Sequence, residues 1–375
     1  MISCEKMYEI LRENDLLYFT GVPDTILKEW LNYVNLNEDK FIHRIAANEG
    51  AAIAHAAGYY LSTDKIGIVY MQNSGLGNAV NPLISLADSE VFAIPMLLLI
   101  GWRGEPGKKS EPQHEKMGKV MLPFLESIGL TYKILDDQDA GRQISEAKKE
   151  AQEKLAPVAL IVKGNFFEKC LIKNSKESNF QLTREEAIQT AADAISKDCF
   201  VVATTGKISR ELFEYRQAKK QLCNRDFYVV GSMGHASAIA MEIACQKPEK
   251  KICLFDGDGA LIMHAGTLAT IGSYAPKNFL HILFDNQSYE STGGQLTVSD
   301  KIDIKGIALA CKYLDAVICY TKEDILKSIE SFKEGPAIII VKVKSFSRKE
   351  LGRPVNSPCE NKKSFMEILK KINFR

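Results

Sequence analysis

The stretch KKICLFDGDGALIMH (residues 250–264) decides the fold. Its apolar run from Ile252 to Phe255 is continuous and bounded by charge, the pattern of a strand buried on both faces of a parallel sheet. Two acids with glycine between and after them follow, and then a second apolar run that starts as a helix. Strand, glycine-bracketed turn and helix in that order make the unit of an α/β fold, where ligands collect at the carboxyl ends of strands. Gly257 and Gly259 would give the turn unusual dihedrals and let a phosphate approach closely. Amides around Gly259 and Ala260 would point at an anion, and Asp258 is a hard oxygen ligand of the kind Mg²⁺ takes. A plain tight turn capped by an aspartate explains the same residues.

Outward from this stretch the pattern repeats. KIGIVYM (65–71), IPMLLLIGW (94–102) and PVALIVK (157–163) read as strands of a first domain, and CFVVATT (199–205), FLHILFD (279–285), AVICYT (316–321) and PAIIIVKVK (336–344) as strands of a second. TILKEWLNYV (25–34) carries a helical apolar face. Near 168–182 the chain turns polar and loses its period, and TREE (183–186) then opens a helix with a capping box of Thr183 and Glu186. The expected organisation is a domain over 1–168, a linker over 169–182 and a domain over 183–375, each a mostly parallel sheet covered by helices.

Composition narrows the partners. Of 375 residues 46% are hydrophobic and 25% charged, and the net charge is +1, so neither nucleic acid nor an anionic membrane is expected to bind through charge. The mixed charges of the first fifteen residues do not make a signal peptide. VFAIPMLLLIGW (91–102) is too short for a membrane helix and holds Pro95. Nine cysteines with no C-x-x-C pair read as buried thiols in a reducing cytoplasm, not as disulfides or a zinc site.

A second motif lies downstream. FLHILFDNQSYESTGGQ (279–295) ends a strand at Asp285-Asn286, and one crossover in a parallel sheet would bring Asn286 beside Asp258. The Asn286 amide oxygen and the Ser288 carbonyl would complete a set of hard ligands. Together the two motifs resemble the signature of thiamine diphosphate enzymes, whose usual Asn-Asn ending is Asp285-Asn286 here. The stretches GVPDTILK, NEGAAIAHAAGYYLST, SGLGNAVNPLISLAD, GWRGEPGKKSEPQHEKMGK, TTGKISRELFE, GSMGHAS, ESTGGQ and LGRP narrow the resemblance to the phosphonopyruvate and sulfopyruvate decarboxylase group. It implies two consecutive thiamin diphosphate-binding domains, the pyrimidine-binding one first, without a central domain.

The resemblance also implies roles. Glu49, at the head of an alanine-rich helix, would hydrogen-bond the aminopyrimidine N1′; complementing the helix dipole is its other reading. The Gly231 carbonyl would accept from the 4′-amino group, and Met233 would wedge between the two rings. Hydroxyls and amides at Thr204, Thr205 and Gly206 would grip the diphosphate, and Asp258, Asn286 and Ser288 would hold Mg²⁺. Glu49 and Asp258 would serve one cofactor from different chains, which requires a homo-oligomer, at least a dimer.

For substrate, the long loop 101–116 offers Arg103 and His114, with His114 able to pass a proton near neutrality; Lys108 and Lys109 read as solvated surface. Asp24 either faces substrate or caps the next helix, and His264 either lines the diphosphate or caps a helix. His43, His55 and His281 read as core histidines, and Arg353 as a residue closing over the site. The implied reaction is decarboxylation of phosphonopyruvate to phosphonoacetaldehyde, a step that in the group pulls an unfavourable phosphorus–carbon bond-forming isomerisation forward. The alternatives are sulfopyruvate decarboxylation, carboligation and a non-catalytic scaffold. Sulfopyruvate enzymes of the group are often split into two subunits, so a single chain favours phosphonopyruvate.

Overall fold

The computed structural model describes residues 1–170, 179–348 and 350–371. The chain divides into two compact units, Met1–Ser175 and Lys176–Arg375. Of the stretch expected to be a linker, residues 171–178 lie outside the described residues.

The first unit is built on a parallel sheet. β1 (Tyr18–Gly21), β2 (Ile42–Ile45), β3 (Ile68–Gln72), β4 (Leu97–Gly101), β5 (Thr131–Ile134) and β6 (Val158–Val162) lie in the order β2-β1-β3-β4-β6-β5. Leu97 and Leu99 of β4 enter one core with Met7, Trp30 and Ile144, whereas Leu98 and Ile100 enter the opposite core with Ile53, Met121 and Leu125. Helices cover both faces, so the central strands β4 and β6 are apolar throughout. Each such leucine contributes about 1.5–3 kcal/mol by leaving water, and truncating one to alanine costs about 2–5 kcal/mol. The edge strand β2 is different: Ile42 is exposed, and the run alternates.

The second unit repeats the plan. β7 (Phe200–Ala203), β8 (Asp226–Tyr228), β9 (Ile252–Gly257) and β10 (Phe279–Asp285) are followed by a short antiparallel pair, β11 (Ser288–Tyr289) and β12 (Gln295–Leu296), and by β13 (Asp315–Cys319) and β14 (Ala337–Lys342). The sheet order is β13-β14-β10-β9-β7-β8, all parallel. The chain runs outward from β7 to β8 and then returns to the other side of β7 for β9. That reversal is a topological switch point, and it opens a crevice at the carboxyl ends of β7 and β9. The unit's first helix, Arg184–Ala194, carries the Thr183–Glu186 capping box.

The thiol expectation holds in part. All nine cysteines are free, but Cys4, Cys199, Cys253 and Cys319 alone are buried and Cys359 is exposed. Among the described residues no helix is long and apolar enough to cross a membrane.

Candidate active site

In the second unit the loops beyond β7, β8, β9 and β10 share the carboxyl edge. Gly206, at φ +98°, turns the chain from β7 into the helix Lys207–Ala218. Thr205 donates its hydroxyl to the Val230 carbonyl at 2.9 Å and so ties the β7 loop to the β8 loop. Its proton is therefore committed inside the protein. Thr204 Oγ1 is buried and, among the described residues, has no hydrogen-bond partner, which leaves its hydroxyl ready for a ligand. Beyond β8, Ser232 and Gly234 take left-handed backbone angles around Met233.

Asp258 is the first residue of the helix Asp258–Met263. Neither Gly257 nor Gly259 has the unusual positive φ expected of it. What Gly259 supplies is space: a Cβ there would lie 2.7 Å from the Tyr289 ring and 3.3 Å from Met233 Cε. Asp258 is 3% exposed; its Oδ2 accepts from Thr297 Oγ1 at 2.5 Å, and Ser299 Oγ stands 3.3 Å from the same oxygen. Burial, and then the charge of Asp285, push its pKa up, because among the described residues no cation pairs with it. A buried carboxylate without a counter-charge is unfavourable.

β9 and β10 are neighbours, with Gly257 opposite Phe284, so Asp285 and Asn286 emerge beside Asp258. Asn286 Oδ1 accepts from the Ser288 amide at 3.1 Å, and Ser345 Oγ donates to the Asn286 carbonyl at 2.9 Å. Among the described residues, Ser288 Oγ is buried without a partner. No three His, Cys, Asp or Glu side chains could hold a metal among the described residues. The donor set at this turn is thus one carboxylate with neutral oxygens, which fits a hard divalent ion and excludes a thiophilic one.

The first unit gathers its own group on the carboxyl edge of β2-β1-β3-β4. Glu49 begins the helix Glu49–Thr63 after β2, with Asn48 as N-cap. Its carboxyl group is 6% exposed and accepts from Asn78 Nδ2 at 2.8 Å; burial raises its pKa, and Asn78 opposes the rise. Asp24, beyond β1, is fully buried. Its oxygens accept from Gln72 Nε2 at 2.8 Å and the Ile26 amide at 3.0 Å. It does not cap the next helix, whose N-cap is Leu27. Burial pushes Asp24 up to about 6, although Arg103 pulls the other way. Arg103 follows β4 and is clamped at its backbone by Asn73, which donates to its carbonyl and accepts from its amide. His114 lies in the first turn of Pro112–Ser127; burial and Arg103 hold it down at about 4. Held low in this way, it is a neutral imidazole at pH 7.

Comparison with known proteins follows the division into two units. The family of thiamine pyrophosphate enzymes matches twice, its N-terminal TPP binding domain over residues 4–121 and its C-terminal TPP binding domain over 204–341. A phosphonopyruvate decarboxylase of Streptomyces hygroscopicus is 32% identical across 98% of this chain and 94% of its own length. One from Streptomyces viridochromogenes is 32% identical across 92% and 89%. A sulfopyruvate decarboxylase of Methanosarcina acetivorans is 29% identical across 88% and 87%. The chain belongs to the phosphonopyruvate and sulfopyruvate decarboxylase group. It is a thiamine diphosphate-dependent decarboxylase, a carbon–carbon lyase.

Several residues that build the candidate site carry no signal in the sequence. Asn78 holds Glu49, and Gly75 leaves room for it, since a Cβ there would stand 2.3 Å from Glu49 Oε1. Gly101 does the same for Asp24, at 2.0 Å. Glycines in SGLGN and LLLIGW carry no signal that distinguishes them from turn residues. Lys108 pairs with Glu105 on the exposed loop, and Lys109 is exposed. Arg353 lies on an exposed segment that Arg210 holds through the Leu351 and Gly352 carbonyls. His264 is the C-cap of Asp258–Met263 and packs against His235, ring centres 4.3 Å apart. His281 is fully buried between Tyr313 and Asp256, and His43 bonds Tyr70. His55 is exposed and bonds Thr20, so it is not a core histidine.

Proposed function

We propose that this enzyme converts 3-phosphonopyruvate to phosphonoacetaldehyde and CO₂, with thiamine diphosphate and Mg²⁺, in the cytoplasm and on the route to phosphonates. The observation that carries the reading is the grouping of Arg103, His114 and Asp24 on one sheet edge. A guanidinium beside a neutral imidazole donor suits a dianionic group with several oxygens. The two Streptomyces relatives support the same substrate.

Bound thiamine diphosphate supplies the electron sink that decarboxylation needs. Asp258, Asn286 and the Ser288 carbonyl would hold Mg²⁺. Thr204, with the amides at Thr205, Gly206, Gly259 and Ala260, would meet the diphosphate. The Gly231 carbonyl would accept from the cofactor's amino group, and Met233 would support the bent arrangement of the rings. Glu49 would keep a proton on the pyrimidine, a task suited to a carboxyl group whose pKa burial has raised. Arg103 and His114 would hold the phosphonate and leave the substrate carboxylate weakly held, so that charge is lost where binding is loosest. When the C1–C2 bond breaks, the electron pair remains at C2 and takes one proton. Asp24, near pH 6, is the first-unit group poised to give it.

Sulfopyruvate is the second reading. The Methanosarcina enzyme is a single chain matched along most of its length, so chain organisation does not separate the two substrates. A phosphonate carries a second charge that a sulfonate lacks, which favours phosphonopyruvate at Arg103. Large exposed apolar residues, among them Leu61, Phe92 and Leu314, support a homo-oligomer. Competitive assays should give kcat/KM in the order phosphonopyruvate, sulfopyruvate, pyruvate, with pyruvate poorer by about 10⁴ because its methyl group leaves donors unpaired. Faster turnover of sulfopyruvate would overturn the substrate and leave the cofactor chemistry in place.

A further inference from the structure

Asp285 stands where the usual pattern has an asparagine, and its surroundings give it a task. Lys342 lies opposite Asp285 in the β10–β14 register, and its ammonium donates to Asp285 Oδ2. Asp285 Oδ1 accepts from Ser299 Oγ at 2.8 Å. Ser299 Oγ stands 3.3 Å from Asp258 Oδ2 and 2.9 Å from Thr297 Oγ1, and Thr297 donates to that same Asp258 oxygen. Asp258, Asp285, Thr297 and Ser299 are each 3% exposed or less, so water does not compete for these bonds.

A serine owns one hydroxyl proton. Asp285 is the nearer carboxylate, and so sets the rotamer of Ser299. Thr297 donates to Asp258 Oδ2 and Ser299 Oγ packs against that oxygen; among the described residues no side-chain hydroxyl takes Oδ1. Lys342 pairs with Asp285 and offsets its charge beside the turn.

We propose that Asp285, charge-paired with Lys342, is a positioning residue that acts through Ser299 to fix Asp258 as a one-oxygen ligand, with Oδ1 facing a divalent cation. The inference rests on Asp258 being the metal ligand. An asparagine at 285 would leave the Lys342 ammonium uncompensated next to that cation, and like charges repel at close range. The aspartate and the lysine therefore work as a unit.

The test uses Mn²⁺ as the probe, titrated into the full chain with thiamine diphosphate present and followed by the electron paramagnetic resonance of the bound ion. Asp285→Asn should weaken Mn²⁺ about 10–100-fold, the usual effect of removing a partner that orients a ligand, and should change the bound-ion spectrum. Ser299→Ala, which alters no charge, should weaken binding and shift the spectrum in the same way. The double variant Asp285→Asn/Lys342→Met should bind more tightly than Asp285→Asn alone. Wild-type affinity and spectrum in both Asp285→Asn and Ser299→Ala, while Asp258→Ala fails to bind, would overturn the inference and leave the metal ligand in place. A double variant no better than Asp285→Asn would overturn the charge pairing. If Asp258→Ala itself binds Mn²⁺ as wild type does, the ligand assignment is what fails.

Discussion

Asp24 is packed behind Gly101 with no surface open to water, and its two oxygens accept from neutral donors, Gln72 and Ile26. Nothing there compensates a full negative charge except the more distant Arg103, so the carboxyl group holds its proton up to about pH 6. His114 is buried beside the same guanidinium and loses its proton at about pH 4. Residue type pointed to His114 for a proton near neutrality; burial shifts both groups, and burial is not written in a single residue's identity. With thiamine diphosphate and Mg²⁺ bound, a carboxyl infrared titration should show a group changing near pH 6 that is missing in Asp24→Asn. A titration identical in the two proteins would remove Asp24 from the proton step. Activity of the variant should fall by about 10²–10⁴, the range of a lost general acid. The place of Glu49 at the head of an alanine-rich helix was legible, while its role was implied by the family resemblance; its supports Asn78 and Gly75 were not legible, being ordinary residues brought close by β3 and the turn after it. Glu49→Gln should fold and bind cofactor yet slow exchange of the thiazolium C2 proton severely, as followed by NMR, and an unaltered exchange rate would take Glu49 out of the mechanism.

Elements were easiest to read where both faces are covered. β4, β6 and Ile252–Phe255 of β9 are continuous apolar runs because their side chains enter one core or the other in alternation. The short pair β11–β12 has no such signal, since Ser288–Tyr289 and Gln295–Leu296 are too brief to show a period. Nor could sequence pair Arg184 with Glu211 and Glu290, which are distant along the chain. Arg184 is buried, forks onto Glu211 and also reaches Glu290, which pairs in turn with Lys207. This lattice joins the unit's first helix, the helix after Gly206 and the loop after β11, and so holds the candidate site's rim. Burial alone would raise Glu290, but Arg184 and Lys207 overcome it and bring the group down to about 2. A carboxylate depressed in the folded state stabilises above its unfolded pKa of about 4.3 and loses that contribution as pH falls through 2. The contribution is of the order of 3 kcal/mol. Thermal melts from pH 6 to pH 2 should therefore fall more steeply for wild type than for Glu290→Gln, which begins less stable by about 3–5 kcal/mol because Arg184 and Lys207 are left short of charge. Parallel curves would show that the lattice adds no acid sensitivity.

At the scale of the whole molecule, the polar stretch after Glu168 announced two units, and periodicity announced a parallel sheet in each. Which unit completes which could not be read, because surfaces that meet a partner look like any other exposed surface in a strand or helix pattern. The two edges nevertheless divide the chemistry. The first unit holds Glu49, Asp24, Arg103 and His114, and the second holds Thr204, Gly231, Met233, Asp258 and Asn286. Membership of the thiamine diphosphate decarboxylases leads to the expectation that each cofactor lies between the first unit of one chain and the second unit of its partner. Two inactive variants should then rescue one another. When Glu49→Ala and Asp258→Ala chains are mixed and allowed to exchange, half of the dimers carry one of each. In those dimers one site inherits both lesions and the other inherits none. Activity should return to about a quarter of wild type, the statistical share of intact sites in a two-fold assembly. Rescue should appear at the rate of subunit exchange, measured separately with labelled chains, and should be absent when the two variants are combined in one chain. Full exchange without any rescue would mean that each chain builds its sites alone.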